Sequence, residues 1–375
     1  MWANTYYSPL NSPAQKTALV SSWRAHQRAT AQRKLGEAWK LVRSRHAAQA
    51  ATRAIDALAH RILLRPLPSW RTDVGLQKAA TTRPLVSVIV PAYMHEEFIA
   101  DSLRALAAQS YRPLELLIID DASSDGTAAA IADVLPEVAD SFERVDVQIR
   151  TSNNGLVASL NEMLASARGK YLFQNDSDDL AEIDAISTLV AMLEGDPRAS
   201  LAVGDNAIID QDGVRVYWGS DHESHAEPGP DRFGTVVEYL RARHSEDVMS
   251  SSGFGALHEL LRENHVPNGK LMRARTVRRV GGWREGTVED WDLNFRLAER
   301  SRLLLVDRVL MSYRWHTSNT IKDPGYAVVR SARTRRLLRR RLWNPVTFAR
   351  VVPHIQLSTI LRVVRGTAQR AIPRR

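Results

Sequence analysis

The sequence predicts an α/β fold built on a mostly parallel β-sheet, and three features of residues 84–203 indicate it. Short apolar, β-branched runs recur, as in PLVSVIVPAY, LELLIIDD and KYLFQN, and such runs are typical of strands buried on both faces. Stretches with apolar residues at helical spacing separate them, as in EEFIADSLRALAAQS. Each run also ends in polar or acidic residues. Alternating strands and helices favour right-handed crossovers and parallel pairing.

The composition fits a globular protein and restricts the metal chemistry open to it. The chain has 375 residues, of which 44% are hydrophobic, and it has no cysteine. A metal would therefore be held by oxygen or imidazole ligands rather than by thiolates. No stretch approaches the roughly 18 to 20 apolar residues of a membrane-spanning helix, and no basic run followed by an apolar block opens the sequence. These observations predict a cytoplasmic protein.

The net charge of +9 is distributed unevenly along the chain. Residues 1–83 hold 14 basic and 3 acidic residues, residues 327–375 hold 13 arginines and no acid, and the middle is acidic. We expect a basic, helical N-terminal extension with a linker over 1–83 and a basic, amphipathic, helical C-terminal extension over 327–375. The two extensions either contact an anionic membrane surface, at the inner face of the cell membrane, or pack on the acidic middle. No nucleic-acid partner is expected, because no recognised binding module accompanies the charge.

Acidic and aromatic residues follow the predicted strands. Tyr93 closes the first strand, Asp121 follows the second, and the string NDSDD follows the strand KYLFQN. Ligands of open parallel sheets bind beyond the carboxyl ends of the strands. The sequence therefore predicts that these residues gather at one edge of the sheet.

The string NDSDD places Asp176, Asp178 and Asp179 within four residues. Carboxylates this close repel one another unless a cation lies among them, and Mg²⁺ or Mn²⁺ commonly binds one or two carboxylates together with substrate phosphates. The alternative is a solvated turn that caps the next helix, since Ser177 and Asp178 are good N-cap residues.

Four strings occur in order: VSVIVPAY, LLIIDDASSDGT, NNGLVASLNEMLASARGKYLFQNDSDD and GGWREGTVEDWDLNFRLAE. Together they resemble the family 2 glycosyltransferases, over residues 84–319. The resemblance implies the GT-A fold, a Rossmann-like sheet flanked by helices. It also implies an enzyme that moves a sugar from a nucleotide-diphosphate donor to a hydroxyl acceptor, with Mn²⁺ or Mg²⁺ as cofactor. It implies a donor-binding half over 84–203 and an acceptor-binding half over 204–326.

The resemblance also implies roles for the strand-end residues. Pro91, Ala92 and Tyr93 would line the base pocket, and Asp121 would hydrogen-bond the base. Asp176 and Asp178 match the D-x-D motif, which carries the diphosphate and the metal, with Asp179 as a further candidate ligand. One position departs from the family, which usually has asparagine where this chain has Met94.

On the acceptor side, the resemblance implies that Asp290 is the general base. An acceptor hydroxyl is a poor nucleophile, and a carboxylate within hydrogen-bond reach can take its proton. The alternative is that Glu289 and Asp290 are first-turn acids that complement the helix dipole. We also place Trp291 and His316 on this side, although a tryptophan often fills the core and an isolated histidine is often structural.

The leading hypothesis is an inverting, metal-dependent glycosyltransferase of cell-envelope or extracellular polysaccharide or glycoconjugate biosynthesis, with a glycan, a lipid-linked molecule or a small molecule as acceptor. Two alternatives remain open. A nucleotidyltransferase that makes a nucleotide sugar would also use strand-end acids and a metal, but usually has a glycine-rich, basic loop that VPAYMHEEF lacks. A non-catalytic binding protein with the GT-A fold would not require the acids that this chain retains.

Overall fold

The computed structural model describes residues 83–351, apart from 220–222, 244–245, 251–252, 318, 320–321 and 323–325. All of them belong to one of the two units into which the chain divides, Thr81–Arg375. The predicted N-terminal extension therefore lies outside the described residues except for its last residue, as does the C-terminal extension beyond Val351.

The β-strands of the described residues fall into two sheets. They are β1 (Val86–Ala92), β2 (Leu114–Asp120), β3 (Arg144–Ile149), β4 (Tyr171–Gln174), β5 (Leu180–Ala181), β6 (Ala199–Ile209), β7 (Tyr217–Gly219), β8 (Ser224–His225), β9 (Arg232–Phe233), β10 (Lys270–Arg273) and β11 (Arg302–Arg314). The larger sheet has the order β3-β2-β1-β4-β10-β6-β11-β5, and β8-β7-β9 form a small sheet.

The larger sheet is mostly parallel, as the sequence predicts. Strands β1 to β4 pair in parallel, and so do β6 and β11. Strand β10 lies antiparallel between β4 and β6, with Lys270 opposite Gln174, and β5 is an antiparallel edge. One sheet thus runs through both predicted halves, 84–203 and 204–326.

Helices cover both faces of this sheet. They are α1 (Ile99–Ala107), α2 (Thr127–Val138), α3 (Leu156–Ser166), α4 (Ala185–Gly195), α5 (Val236–Arg243), α6 (Leu257–Leu260), α7 (Ala274–Val280), α8 (Glu289–Ala298), α9 (Ser331–Arg340) and α10 (Pro345–Val351).

Two hydrophobic clusters form the core, one on each face. Along β1, Val88 and Val90 face the cluster that holds α1, α2 and α4, whereas Ile89 faces the cluster that holds α3, α7 and α8. Successive side chains of a strand point to opposite faces, so an uninterrupted apolar run is what a strand covered on both sides requires.

The region after β6 forms a small second sheet and a short helix. Strand β7 pairs with β8 and β9, and an antiparallel bridge between Ile209 and Arg215 connects it back to β6. Residues 219–250 contain β8, β9 and α5. Helix α5 buries Val237, Tyr239 and Leu240, too few for a clear periodic signal.

Among the described residues, no helix combines the length and the apolar character that crossing a membrane would take.

Candidate active site

The carboxyl ends of β1, β2 and β4 meet at one edge of the sheet. Ala92 at the end of β1 lies beside Asp120 at the end of β2, and the amide of Asp121 donates to the Ala92 carbonyl (2.9 Å). The amide of Asn175, directly after β4, donates to the carbonyl of Ile89 (3.1 Å). The predicted strand-end residues therefore share the edge at which parallel sheets bind ligands.

The loop after β1 carries the residues expected to line a base pocket. Ala92 is buried, Pro91 is partly buried and Tyr93 is 49% exposed. Met94, at the position that departs from the family, has a φ of 58° and donates its amide to Ser123 Oγ (2.9 Å). A positive φ is uncommon outside glycine, so this bond helps to hold a strained turn directly after Tyr93.

Asp121 ties two loops together at the strand ends. Its Oδ1 accepts hydrogen bonds from Arg150 Nη1 (2.7 Å) and the Asn154 amide (2.9 Å), and its Oδ2 accepts one from the Gly155 amide (2.6 Å). Gly155 has a φ of +89°, a conformation that glycine adopts without strain. Asp121 thus fixes the loop that leads into α3. Whether it also contacts a nucleotide base stays a prediction.

Three carboxylates follow β4, and their environments differ. Asp178 and Asp179 are buried, and Asp176 keeps some solvent access. Desolvation, followed by the charges of Asp178 and Asp290, raises the pKa of Asp176 to about 7. Burial and the charges of Asp178 and Asp176 raise the pKa of Asp179 well above its usual range. Crowded carboxylates of this kind favour a cation among them.

Asp178 lies between two histidines. Its Oδ2 is 2.9 Å from His316 Nε2 and 3.8 Å from His95 Nε2. Burial alone would raise the pKa of Asp178, but the His316 hydrogen bond and the two imidazole charges outweigh it and lower the pKa. Burial lowers the pKa of His95. One ligand atom from each of these three residues lies within 4.8 Å of the others, so they form a possible metal site.

The remaining acid of the string, Asp179, holds the end of β11 in place. Its Oδ1 accepts a hydrogen bond from the Arg314 amide (2.9 Å). The Arg314 guanidinium donates to the Asp178 carbonyl (2.9 Å) and lies over the Phe98 ring. Asp179 and Arg314 therefore fasten the end of β11 to the acidic loop, which brings His316 to Asp178.

Asp290 lies in the first turn of α8. Its Oδ2 contacts Lys270 Nζ, and its Oδ1 lies 3.5 Å from Gln174 Nε2. The Lys270 side chain is 1% exposed and the Asp290 side chain is 15% exposed. Asp290 is thus oriented from β4 and β10 and keeps an edge open to solvent.

The other two residues predicted on the acceptor side lie deeper. Glu289 is buried. Trp291 is 2% exposed and its Nε1 donates to the Leu260 carbonyl (2.5 Å). The indole therefore packs between α8 and α6. The acceptor-side roles of Glu289 and Trp291 stay predictions.

The acids of residues 176–178 and 289–290 act on one another. The charges of Asp178, Asp290 and Glu289 all raise the pKa of Asp176, whereas the charge of Lys270 lowers it. Gln174, two residues before Asp176, approaches Asp290 Oδ1 (3.5 Å), and Asn268, two residues before Lys270, donates to Asp176 Oδ2 (2.9 Å). These groups therefore lie together, and we call the space around them the cleft. A cation-binding group thus lies near a solvent-accessible carboxylate that can accept a proton.

Three residues of this cleft were missed by the sequence analysis: His95, Asn268 and Lys270. Asn268 Nδ2 donates to Asp176 Oδ2 (2.9 Å). His95 stands two positions after Tyr93, so its place in a strand-end loop was a usable signal. Lys270 begins the short antiparallel strand β10, and Asn268 lies two residues before it. No local sequence pattern indicates that these residues contact Asp290 and Asp176.

Residues 87–261 match the sequence model of Glycosyl transferase family 2. This α/β segment, with acids at its strand ends, belongs to that family.

Named relatives resemble parts of the chain. EpsE of Bacillus subtilis, named as a glycosyltransferase, is 34% identical over 132 residues, which are 35% of this chain and 46% of that protein. TuaG of the same organism, named as a teichuronic acid biosynthesis glycosyltransferase, is 37% identical over 97 residues, 26% of this chain and 37% of that protein. The chain thus spans less than half the length of these relatives.

Among solved structures, the mannosyltransferase PcManGT from Pyrobaculum calidifontis, in complex with GDP-Man and Mn²⁺, superposes with a TM-score of 0.47. The sequences are 20% identical, and the superposition covers 88% of this chain and 86% of that one.

Proposed function

We propose that this protein is a glycosyltransferase that moves a sugar from a nucleotide-diphosphate donor to a hydroxyl group of an acceptor. The observation that carries the proposal is the shared cleft, which holds both the His95–Asp178–His316 set and Asp290. One part of that cleft suits a diphosphate and its cation, and the other offers a base. Membership of residues 87–261 in Glycosyl transferase family 2 supports the same activity.

The donor would bind at the carboxyl ends of β1, β2 and β4. Tyr93 is exposed beside this edge, and an aromatic ring there can stack on a base. Asp121 holds the Asn154 and Gly155 amides in place, so it shapes the floor of the pocket. Its Oδ2 accepts one of these bonds and has capacity for a further donor from a base or ribose.

The metal set that fits best is His95, Asp178 and His316. Two imidazoles and a carboxylate with ligand atoms within 4.8 Å suit a transition metal such as Mn²⁺ better than Mg²⁺, which takes mainly oxygen ligands. Asp176 completes the negative charge around this set. A divalent ion held there would neutralise charge on the leaving diphosphate. This set differs from the predicted one of Asp176, Asp178 and Asp179 in replacing two acids by histidines.

Asp290 would act as the general base toward the acceptor hydroxyl. Lys270 and Gln174 hold its carboxylate, and its exposed edge can receive a proton. One base and direct attack on the anomeric carbon need no covalent intermediate, so we infer inversion. A positioned base contributes about 10²- to 10⁴-fold to the rate.

We further propose that the acceptor belongs to cell-envelope or extracellular polysaccharide assembly. The name of TuaG, a teichuronic acid biosynthesis glycosyltransferase, supports this. An acceptor carried at a membrane surface would also explain the excess of arginine in residues 327–375.

The test is release of nucleoside diphosphate. The purified full chain is incubated with Mn²⁺ and a panel of UDP-, GDP- and other nucleotide sugars, and the release is followed in time. Asp290→Asn should lower turnover by at least about a hundredfold, whereas Asp212→Asn, in an exposed turn, should leave it unchanged. Release of pyrophosphate from a nucleoside triphosphate and a sugar phosphate would instead identify a nucleotidyltransferase.

A further inference from the structure

Helix α9 has one side buried in the protein and one side turned outward. Thr334 and Leu338 are buried, and the amide of Val288 donates to Thr334 Oγ1 (2.8 Å). At 100° per residue, Arg336 and Arg340 lie on the opposite side. Both are exposed. We call Arg336, Arg340 and the following Trp343 the α9 outer face.

The arginines of this segment divide into two groups by their contacts. Arg341 donates from Nε to Glu299 Oε1 (3.1 Å), and Arg335 donates to the Arg262 carbonyl (3.1 Å). These side chains fasten α9 to the protein. The arginines of the α9 outer face make no ion pair within the part of the chain that the structure describes. Their charge is therefore available to a partner.

Apolar side chains lie next to this charge. Trp343 is 89% exposed, Val329 is 66% exposed and Val346 is 58% exposed. They flank α9 on its two ends. Exposed apolar side chains that are grouped beside charge are typical of interaction surfaces.

We propose that the α9 outer face docks on an anionic lipid bilayer. Arginines meet the headgroup phosphates, and Trp343 with its neighbouring valines enters the interface between headgroups and acyl chains, where tryptophan is favoured. Charge complementarity favours this partner, since each basic residue near an anionic membrane contributes to binding. A single-stranded nucleic acid would require several aromatic platforms along the groove, and the α9 outer face has one. The proposal does not depend on the glycosyl transfer proposed above.

Docking through α9 would also orient the candidate active site. The Thr334 hydrogen bond is made to Val288, directly before Glu289 and Asp290. The helix that would contact the membrane is thus attached to the start of the helix that carries the proposed base. An acceptor held in a bilayer would then meet a cleft in a fixed orientation.

The test is co-sedimentation of the full chain with vesicles of equimolar phosphatidylglycerol and phosphatidylcholine, with vesicles of pure phosphatidylcholine for comparison. We expect binding to the anionic vesicles that weakens as salt is raised. The double variant Arg336→Glu/Arg340→Glu should weaken binding by at least about twenty-five-fold, from about fivefold for each arginine lost. Arg275→Glu/Arg279→Glu is the matched control, because both residues are exposed at the same spacing on α7.

Trp343→Ser tests the apolar part. It should weaken binding severalfold and reduce the quenching of tryptophan fluorescence by bromine-labelled lipids, whereas Val214→Ser, at a 59% exposed valine elsewhere, should do neither. Equal loss in the Arg275/Arg279 control, or unchanged binding of the Arg336/Arg340 variant, would assign vesicle binding to other basic segments and overturn the proposal. Binding to a single-stranded RNA that the Arg336/Arg340 variant loses, with no vesicle binding, would overturn it in favour of a nucleic-acid partner.

Discussion

Lys270 Nζ contacts Asp290 Oδ2 at a position where the lysine side chain is 1% exposed. Lys270 stands on β10 opposite Gln174, and Gln174 approaches the other oxygen of Asp290. The same ammonium lowers the pKa of Asp176, which Asp178, Asp290 and Glu289 raise. Lys270 therefore offsets negative charge on both sides of the cleft and directs the carboxylate of Asp290.

Replacement of Lys270 by methionine should lower turnover strongly and alter donor binding little. Met retains most of the buried volume but leaves Asp290 without its charged partner, so the carboxylate loses its orientation and faces the other acids. We expect a fall in kcat of about a hundredfold, within the range for a displaced general base, with the donor KM changed by less than about threefold.

The matched control for Lys270 is Lys170→Met. Lys170 pairs with Glu194 on the surface, where the side chains are 48% and 44% exposed, and surface pairs contribute about 0 to 1 kcal/mol. This variant should retain full activity. A Lys270→Met protein with normal kcat and native stability would mean that Asp290 does not need the lysine for its orientation.

Removal of one imidazole should weaken metal binding. We expect His95→Ala to lower the affinity for Mn²⁺ at least about tenfold, since even residues that only support metal ligands contribute that much. Isothermal titration of the full chain with MnCl₂ measures the affinity without any assay of transfer. His225→Ala, on the small sheet, should bind Mn²⁺ as the unchanged protein does. Equal affinities for the His95 variant and the control would remove His95 from the proposed ligand set.

The sequence predicts strands β1 to β4 well because local patterns determine them. The apolar run of β1 continues to Pro91, and the acids after β2 and β4 lie at the strand ends because buried strands end where polar residues begin. Parallel pairing then brings Asp121 and Asp176 to one edge. These positions follow from burial and chain direction alone.

The position of strand β10 in the sheet could not be predicted in the same way. Strand β10 has four residues and lies antiparallel between β4 and β6, so neither its length nor its direction follows the alternating pattern. Its pairing depends on contacts between residues about a hundred positions apart, such as Lys270 with Gln174. The approach of His95 to Asp178 likewise depends on how the loops after β1 and β4 pack together. The sequence of either loop alone does not indicate that contact.

Gly269 links two residues that enter the cleft, and alanine there should disturb both. It has a φ of +71°, and a Cβ would lie 2.1 Å from Met311 Cγ. Its neighbours Asn268 and Lys270 contact Asp176 and Asp290. Left-handed strain of about 1–2 kcal/mol and overpacking of about 1–3 kcal/mol should lower the free energy of unfolding by about 2–5 kcal/mol and reduce turnover as well.

Gly281→Ala separates strain from overpacking. Gly281 has a φ of +86° with no atom within 4 Å of a built Cβ, so alanine there should cost only the strain of about 1–2 kcal/mol. Urea denaturation gives both free energies of unfolding. If Gly269→Ala were no less stable than Gly281→Ala, contact with Met311 would not be the constraint that requires glycine.

Glu115 supplies a pH-dependent contribution to stability far from the cleft. Its side chain is 1% exposed. Its Oε1 accepts hydrogen bonds from Ser87 Oγ (2.5 Å) and the Arg168 amide (2.6 Å), and Arg144 Nη1 donates to Oε2 (3.0 Å). Burial alone would raise the pKa of Glu115, but these hydrogen bonds outweigh it and lower the pKa below the usual 4.5.

Because the folded state binds this proton less readily than the unfolded state, ionised Glu115 stabilises the protein above about pH 4.5, and the contribution is lost as the pH falls through the lowered value. Glu115→Gln should therefore lower the free energy of unfolding by about 2 kcal/mol at pH 7, as expected for hydrogen bonds to a buried charge. The difference from the unchanged protein should shrink below pH 4.5. Urea denaturation at a series of pH values measures it, with Glu143→Gln, at an exposed position, as the control. A difference that stayed constant down to pH 3 would show that Glu115 acts through packing and not through its charge.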